Sequence, residues 1–309
     1  MAAFFEGFQL DHVPLTEATL RVRHGGSGPP VLLLHGHPRT HATWHKVAAR
    51  LASRHTVVCP DLRGYGESSK PETLPDHSNQ SKRAMARDCI ELMNRLGHSR
   101  FTAVGHDRGA YVAFRLAMDH PAAVGRLVVM DSVPIVEALE RCDERFARLW
   151  WHWFFFARPT KPEQAINADP EAWYGNSSSK RQSMGEEAFA DYLAAIRNPA
   201  TVHAMIEDYR AGLGVDRQHD EADRSMGKRI SCPLLVMWAL QDDMGLLYGD
   251  PAEVWRSWAD DVRGQPLSSG HHMAEEVPEQ VAGALLDFMQ GKASNKEEEH
   301  VAELGLGAG

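Results

Sequence analysis

The 309-residue chain lacks the features that would assign it to several large classes. It has only four cysteines, Cys59, Cys89, Cys142 and Cys232, and none stands in a Cys-x-x-Cys pair. A disulfide scaffold is excluded, and the pattern reads as buried free thiols in a reducing compartment. No apolar run approaches the ~18 residues of a membrane span, and the N-terminus has no basic stretch leading into a long apolar one. The expectation is a cytoplasmic protein without a membrane partner. Lys and Arg number 33 against 42 Asp and Glu, giving a formal charge of −9 with no basic cluster. Nucleic acid is thereby excluded as a partner, and an anionic substrate would need cations supplied locally. No internal repeat is visible. His37, His41 and His45 recur every four residues and invite a metal reading, but Pro38 interrupts the helix and no carboxylate follows in His-Glu-x-x-His fashion. No metal and no cofactor are expected.

What is present is an alternation of short apolar strands and helices. Residues 31–34, 56–59, 101–104, 127–130 and 234–238 are continuous apolar runs, as strands buried on both faces of a parallel sheet require. Residues 44–51, 81–96 and 110–120 read as helices between them, and 19–23 as an antiparallel edge strand. The strand signal vanishes from residue 135 for nearly a hundred residues, where helices over 141–156, 186–197 and 201–211 form an expected helical cap. It resumes at 234, with a helix over 252–258, a last strand over 265–268 and a closing helix over 278–289. The expected organisation is an α/β core over 1–134 and 229–290, a cap over 135–228 and a mobile tail over 291–309.

The stretch Gly105-His106-Asp107-Arg108-Gly109 sits between an apolar strand and an amphipathic helix. This is the small-x-nucleophile-x-Gly elbow of the α/β-hydrolases, with Asp where esterases carry Ser. Taken alone, the same residues could be an ordinary helix N-cap. An acid and a late histidine follow in the required order: Asp131 after one strand, Asp242 or Asp243 after the next, then His271, with His272 as its neighbour. His271 is preferred because it directly follows Gly270, and the acid stays open on this reading. A carboxylate nucleophile is ionised at neutral pH and attacks saturated carbon to give an ester that water can cleave. Halide displacement and epoxide opening are the two chemistries this suits. Backbone N–H groups of His37 and Arg108 would form the oxyanion hole for the ester's hydrolysis.

Taken with His35-Gly36-x-Pro38, Asp61-Leu62-Arg63-Gly64-Tyr65-Gly66, Met130-Asp131-x-Val133-Pro134, Trp151-His152-Trp153, Asp208-Tyr209-Arg210 and Gly270-His271, the elbow resembles the haloacetate (fluoroacetate) dehalogenase family over residues 5–290. The resemblance implies the α/β-hydrolase fold, a mostly parallel sheet with an inserted helical cap. It implies cofactor-free hydrolysis of a 2-haloacid, glycolate arising from haloacetate, in a homodimer. It makes Asp107 the nucleophile, His271 the base, Asp131 its acid and Arg108 a carboxylate clamp. His152, Trp153 and Tyr209 would hold the leaving halide, for which imidazole N–H, indole N–H and phenol O–H are suited donors.

Two departures stand out. The family's second arginine, three residues after the first, is Tyr111 here, and the segment between Tyr174 and Glu187 lacks the expected tryptophan. Arg39, in the loop after His35-Gly36, is the candidate for the missing charge. Two other readings remain: an epoxide hydrolase with the same Asp nucleophile, and a non-catalytic member that only binds a small acid.

Overall fold

Runs of branched apolar residues form the inner strands, because only a strand covered on both faces can bury every side chain it carries. The computed structural model describes residues 4–291, so the expected tail beyond Gly291 lies outside the described residues. Eight strands are present: β1 (Gln9–Pro14), β2 (Thr19–Gly26), β3 (Pro30–Leu34), β4 (Thr56–Pro60), β5 (Phe101–His106), β6 (Val124–Met130), β7 (Leu234–Ala239) and β8 (Val262–Leu267). They form one sheet in the order β1-β2-β4-β3-β5-β6-β7-β8. β2 pairs antiparallel with both β1 and β4 and runs against the other seven strands, and β3 to β8 pair in parallel. Alternate residues feed separate cores. Val31 and Leu33 join Val57, Cys59, Val104 and Val128 under one face. Leu32 and Leu34 join Val58, Ala103, Leu127 and Val129 under the other. Each such side chain contributes about 1.5–3 kcal/mol by leaving water.

The structure departs from the sequence expectations in four places. Strand β1 was not anticipated, because nearly all its residues are exposed and it pairs only with β2. The expected helix over 141–156 is two, Glu144–Leu149 and Trp151–Phe156, broken at Trp150. The Trp150 indole N–H there donates to Asp243 Oδ2 at 2.6 Å, and its ring stacks on Trp153. Three short helices, Lys161–Ala168, Pro170–Tyr174 and Ser178–Met184, fill the stretch that carried no clear period. Cys142 is exposed, unlike the other three thiols. Between β6 and β7 all the named elements are helices, joined by short loops. Among the described residues, no helix is long and apolar enough to cross a membrane.

Candidate active site

Strand β5 and the helix Arg108–Asp119 meet in a turn too tight for ordinary backbone. Asp107, at its apex, has φ 50° and ψ −119°, a strained conformation for a residue with a side chain. The turn closes because Gly109 lacks a side chain: a Cβ there would lie 2.4 Å from the carbonyl oxygens of Leu34 and His35. The strain projects the carboxylate beyond the sheet's C-terminal edge. Gly36 lets the neighbouring loop come down on it, since a Cβ at 36 would sit 2.3 Å from Asp107 Oδ1. The His37 N–H therefore donates to Oδ1 at 2.7 Å. Burial pushes the Asp107 carboxyl up, but His271, His106 and Arg108 outweigh it and hold it below the usual carboxylate range. Of the two amides expected in the oxyanion hole, that of His37 thus lies on the candidate nucleophile, and that of Arg108 belongs to the next residue of the chain.

His271 and Asp131 meet beside it. His271 Nδ1 lies 2.9 Å from Asp131 Oδ2 and 3.0 Å from Asp242 Oδ2, so the two rival acids sit on the same nitrogen. Burial alone would lower the imidazole's pKa; the hydrogen bonds to Asp131 and Asp242 and the charges of Asp131 and Asp107 raise it well above its ordinary value. His272 has no such partner: its Nδ1 is buried without a hydrogen bond, and burial holds it neutral.

These residues line a cavity of about 230 Å³ with His37, Tyr111, Leu149, Trp150, His152, Trp153, Tyr209, Asp243 and Met244. His152, Trp153, Tyr209 and Tyr111 all face it, and none of their side chains hydrogen-bonds another described residue. Burial lowers His152 to about 4, so it is neutral near pH 7 and offers an N–H without a charge. The three residues expected to hold the halide therefore line the same cavity as the nucleophile.

The expected carboxylate clamp is arranged differently. Arg39 does not line the cavity. Its guanidinium is buried in a bidentate pair with Glu275, Nε to Oε1 at 2.7 Å and Nη2 to Oε2 at 3.1 Å. A buried carboxylate demands a counter-ion, and Glu275 has taken this one. Arg108 is partly spent in the same way. Asp208 accepts from its Nε at 3.3 Å and its Nη2 at 2.9 Å, and the Asp208 carbonyl takes Nη2 as well. Lys82 and the Tyr65 hydroxyl also converge on Asp208. The Arg108 guanidinium lies 4.1 Å from the Tyr209 ring centre, with only Nη1 lacking an acceptor among the described residues. One arm, not a fork, is left over, and Arg108, like Arg39, is not among the residues that line the cavity: its guanidinium packs behind the Tyr111, Trp153 and Tyr209 rings. The Asp208-Tyr209-Arg210 motif does not reveal this partner in the sequence, because nothing local links positions 108 and 208.

The histidines at 37, 41 and 45 have separate tasks: His37 lines the cavity, His41 Nδ1 bonds Asp61 at 2.7 Å, and His45 donates to the Met184 carbonyl. Three other groups come within mutual metal-ligand reach. Two of them, His106/His271/His272 and Asp131/Asp242/His271, would occupy the candidate base itself. The third, Glu163/His203/Glu207, is already filled by the Arg210 guanidinium.

Comparison with known proteins fits this geometry. A profile of the alpha/beta hydrolase fold matches residues 29–249. The chain is 40% identical over 296 residues to a fluoroacetate dehalogenase from Burkholderia sp, covering 94% of this chain and 96% of that one. It is 30% identical to a soluble epoxide hydrolase from Corynebacterium sp. strain C12, over 85% of this chain and 91% of the relative. A crystal structure from Nostoc sp PCC 7120, assigned to the alpha/beta hydrolases, superposes with a TM-score of 0.88 at 43% identity, covering 92% of this chain and 99% of the other.

Proposed function

The chain belongs to the α/β-hydrolases, in the family of the fluoroacetate dehalogenases, and from that premise we propose that it hydrolyses the carbon–halide bond of a small 2-haloacid through an aspartyl ester. The observation that carries this reading is the lining that Asp107 shares. His152, Trp153 and Tyr209 line its cavity, and their side-chain N–H and O–H groups have no hydrogen-bond partner among the described residues. A departing halide is the species such donors stabilise most, since charge develops on it only in the transition state.

In the proposed sequence a carboxylate oxygen of Asp107 attacks the halogen-bearing carbon from behind. The C–O bond forms as the C–X bond breaks, and the halide leaves with the electron pair. No proton moves in this step. Ester formation removes the Asp107 charge, one of the charges that raise His271, so the imidazole releases its proton more readily. Neutral His271 then takes a proton from water, which attacks the ester carbonyl. The His37 and Arg108 amides hold the tetrahedral oxyanion; on collapse the bond from the Asp107 carbonyl carbon to the substrate oxygen breaks, that oxygen takes the proton from His271, glycolate leaves, and the Asp107 carboxyl loses its proton to solvent. The substrate carboxylate would meet the free arm of Arg108 and the Tyr111 hydroxyl.

An epoxide hydrolase is the second reading. It is favoured by the same finding that weakens the clamp: Arg108 is largely occupied by Asp208, while two tyrosine hydroxyls at the cavity stand free to protonate an epoxide oxygen. The deciding experiment measures halide release from fluoroacetate and chloroacetate by the native protein and by Asp107→Asn. Release by the native protein alone supports the haloacid reading; no release from either acid, with diol formed from a small epoxide, replaces it. Single turnover in heavy-oxygen water should place the label in Asp107, and label confined to glycolate would mean that water attacks the substrate directly.

A further inference from the structure

His271 carries more acid than one imidazole needs. Asp131 Oδ2 and Asp242 Oδ2 lie 2.9 and 3.0 Å from the same Nδ1, which has one proton to give. The two carboxylates arrive from different places, Asp131 just past β6 and Asp242 just past β7. They differ in how they are held. The Asp131 side chain is fully buried, and its Oδ1 accepts the Ala239 N–H at 2.9 Å, so its position is fixed by the sheet. The Asp242 side chain is 27% exposed, on the cavity wall. Two carboxylates this close repel each other unless a cation or a shared proton lies between them, and the imidazolium is the cation in place.

The other titratable groups around the ring do not substitute for this pair. His106 and His272 approach within 4.7 and 5.0 Å between ring centres, and burial keeps both neutral. Asp107 faces the ring from the elbow and His152 from the cap. Asp243 turns its carboxylate to the Trp150 indole.

Resting on the dehalogenase reading, we propose that Asp131 and Asp242 serve His271 as one divided acid, with Asp242 a second positioning residue able to hold the ring when Asp131 cannot. Either carboxylate alone orients the imidazole for ester hydrolysis. Together they set the pH at which the base becomes neutral. Loss of Asp242 leaves an orienting acid in place and moves the acid limb of turnover to lower pH.

The test compares Asp131→Asn, Asp242→Asn and the double variant with the native protein. Each single variant should keep ester hydrolysis within about tenfold of native at its own optimum, while the double variant falls by about 10³ or more, as when a triad loses its only acid. Formation of the ester needs no base. A retained halide burst in the double variant therefore reports an intact fold and nucleophile, and intact-protein mass shows the ester accumulating. NMR titration of the His271 imidazole gives a readout independent of any substrate, with its pKa falling in both single variants. If Asp131→Asn alone is as slow as the double variant, or Asp242→Asn leaves both the titration and the pH profile unmoved, the divided acid is refuted. Absence of halide release from the native protein would instead refute the dehalogenase reading, and the titration would still decide whether both carboxylates act on the ring.

Discussion

Two buried charge clusters near the candidate nucleophile are built in opposite ways. In one, on the cavity wall, a single imidazole, His271, is held by two carboxylates. In the other, behind that wall, a single carboxylate, Asp208, is met by two basic side chains, Arg108 and Lys82, of which burial and the Arg108 charge push Lys82 well below its ordinary pKa. Both arrangements satisfy the rule that buried charge must be paired, but the surplus differs. Surplus carboxylate beside His271 holds a proton on the ring until the Asp107 charge is lost to the ester. Surplus base beside Asp208 leaves Arg108 one arm to offer an anion. The number of counter-ions around a group, more than its identity, decides what it can still do for a substrate.

The comparison can be broken most severely at the imidazole. His271→Ala should leave the halide burst intact and lower steady-state turnover by about 10³ to 10⁴, with the ester visible by mass. Loss of the burst as well would mean that His271 acts before the ester forms. The same asymmetry predicts the pH dependence. The ring is protonated at low pH; turnover should rise as pH climbs through the His271 pKa of the ester form, which has lost the Asp107 charge and so lies below that of the free protein, while the burst stays flat. Linkage gives the opposite sign for stability. The contribution of charged His271 is fully present below its unfolded pKa of about 6.5 and is lost as pH rises through the folded value. Chemical denaturation across that window checks it.

Removing a cation that is fully committed should cost stability and leave binding alone. Arg39→Gln strands buried Glu275 and should lower stability by about 3–5 kcal/mol with an unchanged KM for chloroacetate. A raised KM would return Arg39 to the substrate site. Arg108→Gln should do the reverse. Lys82 and the Tyr65 hydroxyl still contact Asp208, and loss of the Arg108 charge removes one of the two causes that depress Lys82, so the fold survives, while KM for chloroacetate rises about 10- to 100-fold, the worth of one hydrogen bond to a charged group. The KM for uncharged chloroacetamide should not move. The smallest effect is expected at Tyr111→Phe, which removes one neutral donor and should raise KM about fivefold. If Tyr111→Phe changes nothing, the carboxylate is held by Arg108 alone.

Much of this was legible before folding was considered. The apolar runs at 31–34, 56–59 and 127–130 could only be inner parallel strands, because no partly exposed element tolerates such residues at every position. Glycine on either side of Asp107 announced a strained elbow, since those contacts close only without a Cβ. Local sequence also set the order of nucleophile, acid and histidine. It did not separate Asp131 from Asp242: both follow strands, and strand ends from different parts of the chain converge at one sheet edge. Nor did it show that Arg39 and Arg108 were already engaged, because Glu275 and Asp208 lie 236 and 100 residues away along the chain. Periodicity and turn chemistry act over a few residues and are written in the sequence. Charge pairing in a buried site acts through space, and the tertiary structure alone decided which acids and cations of this chain remain free for a substrate.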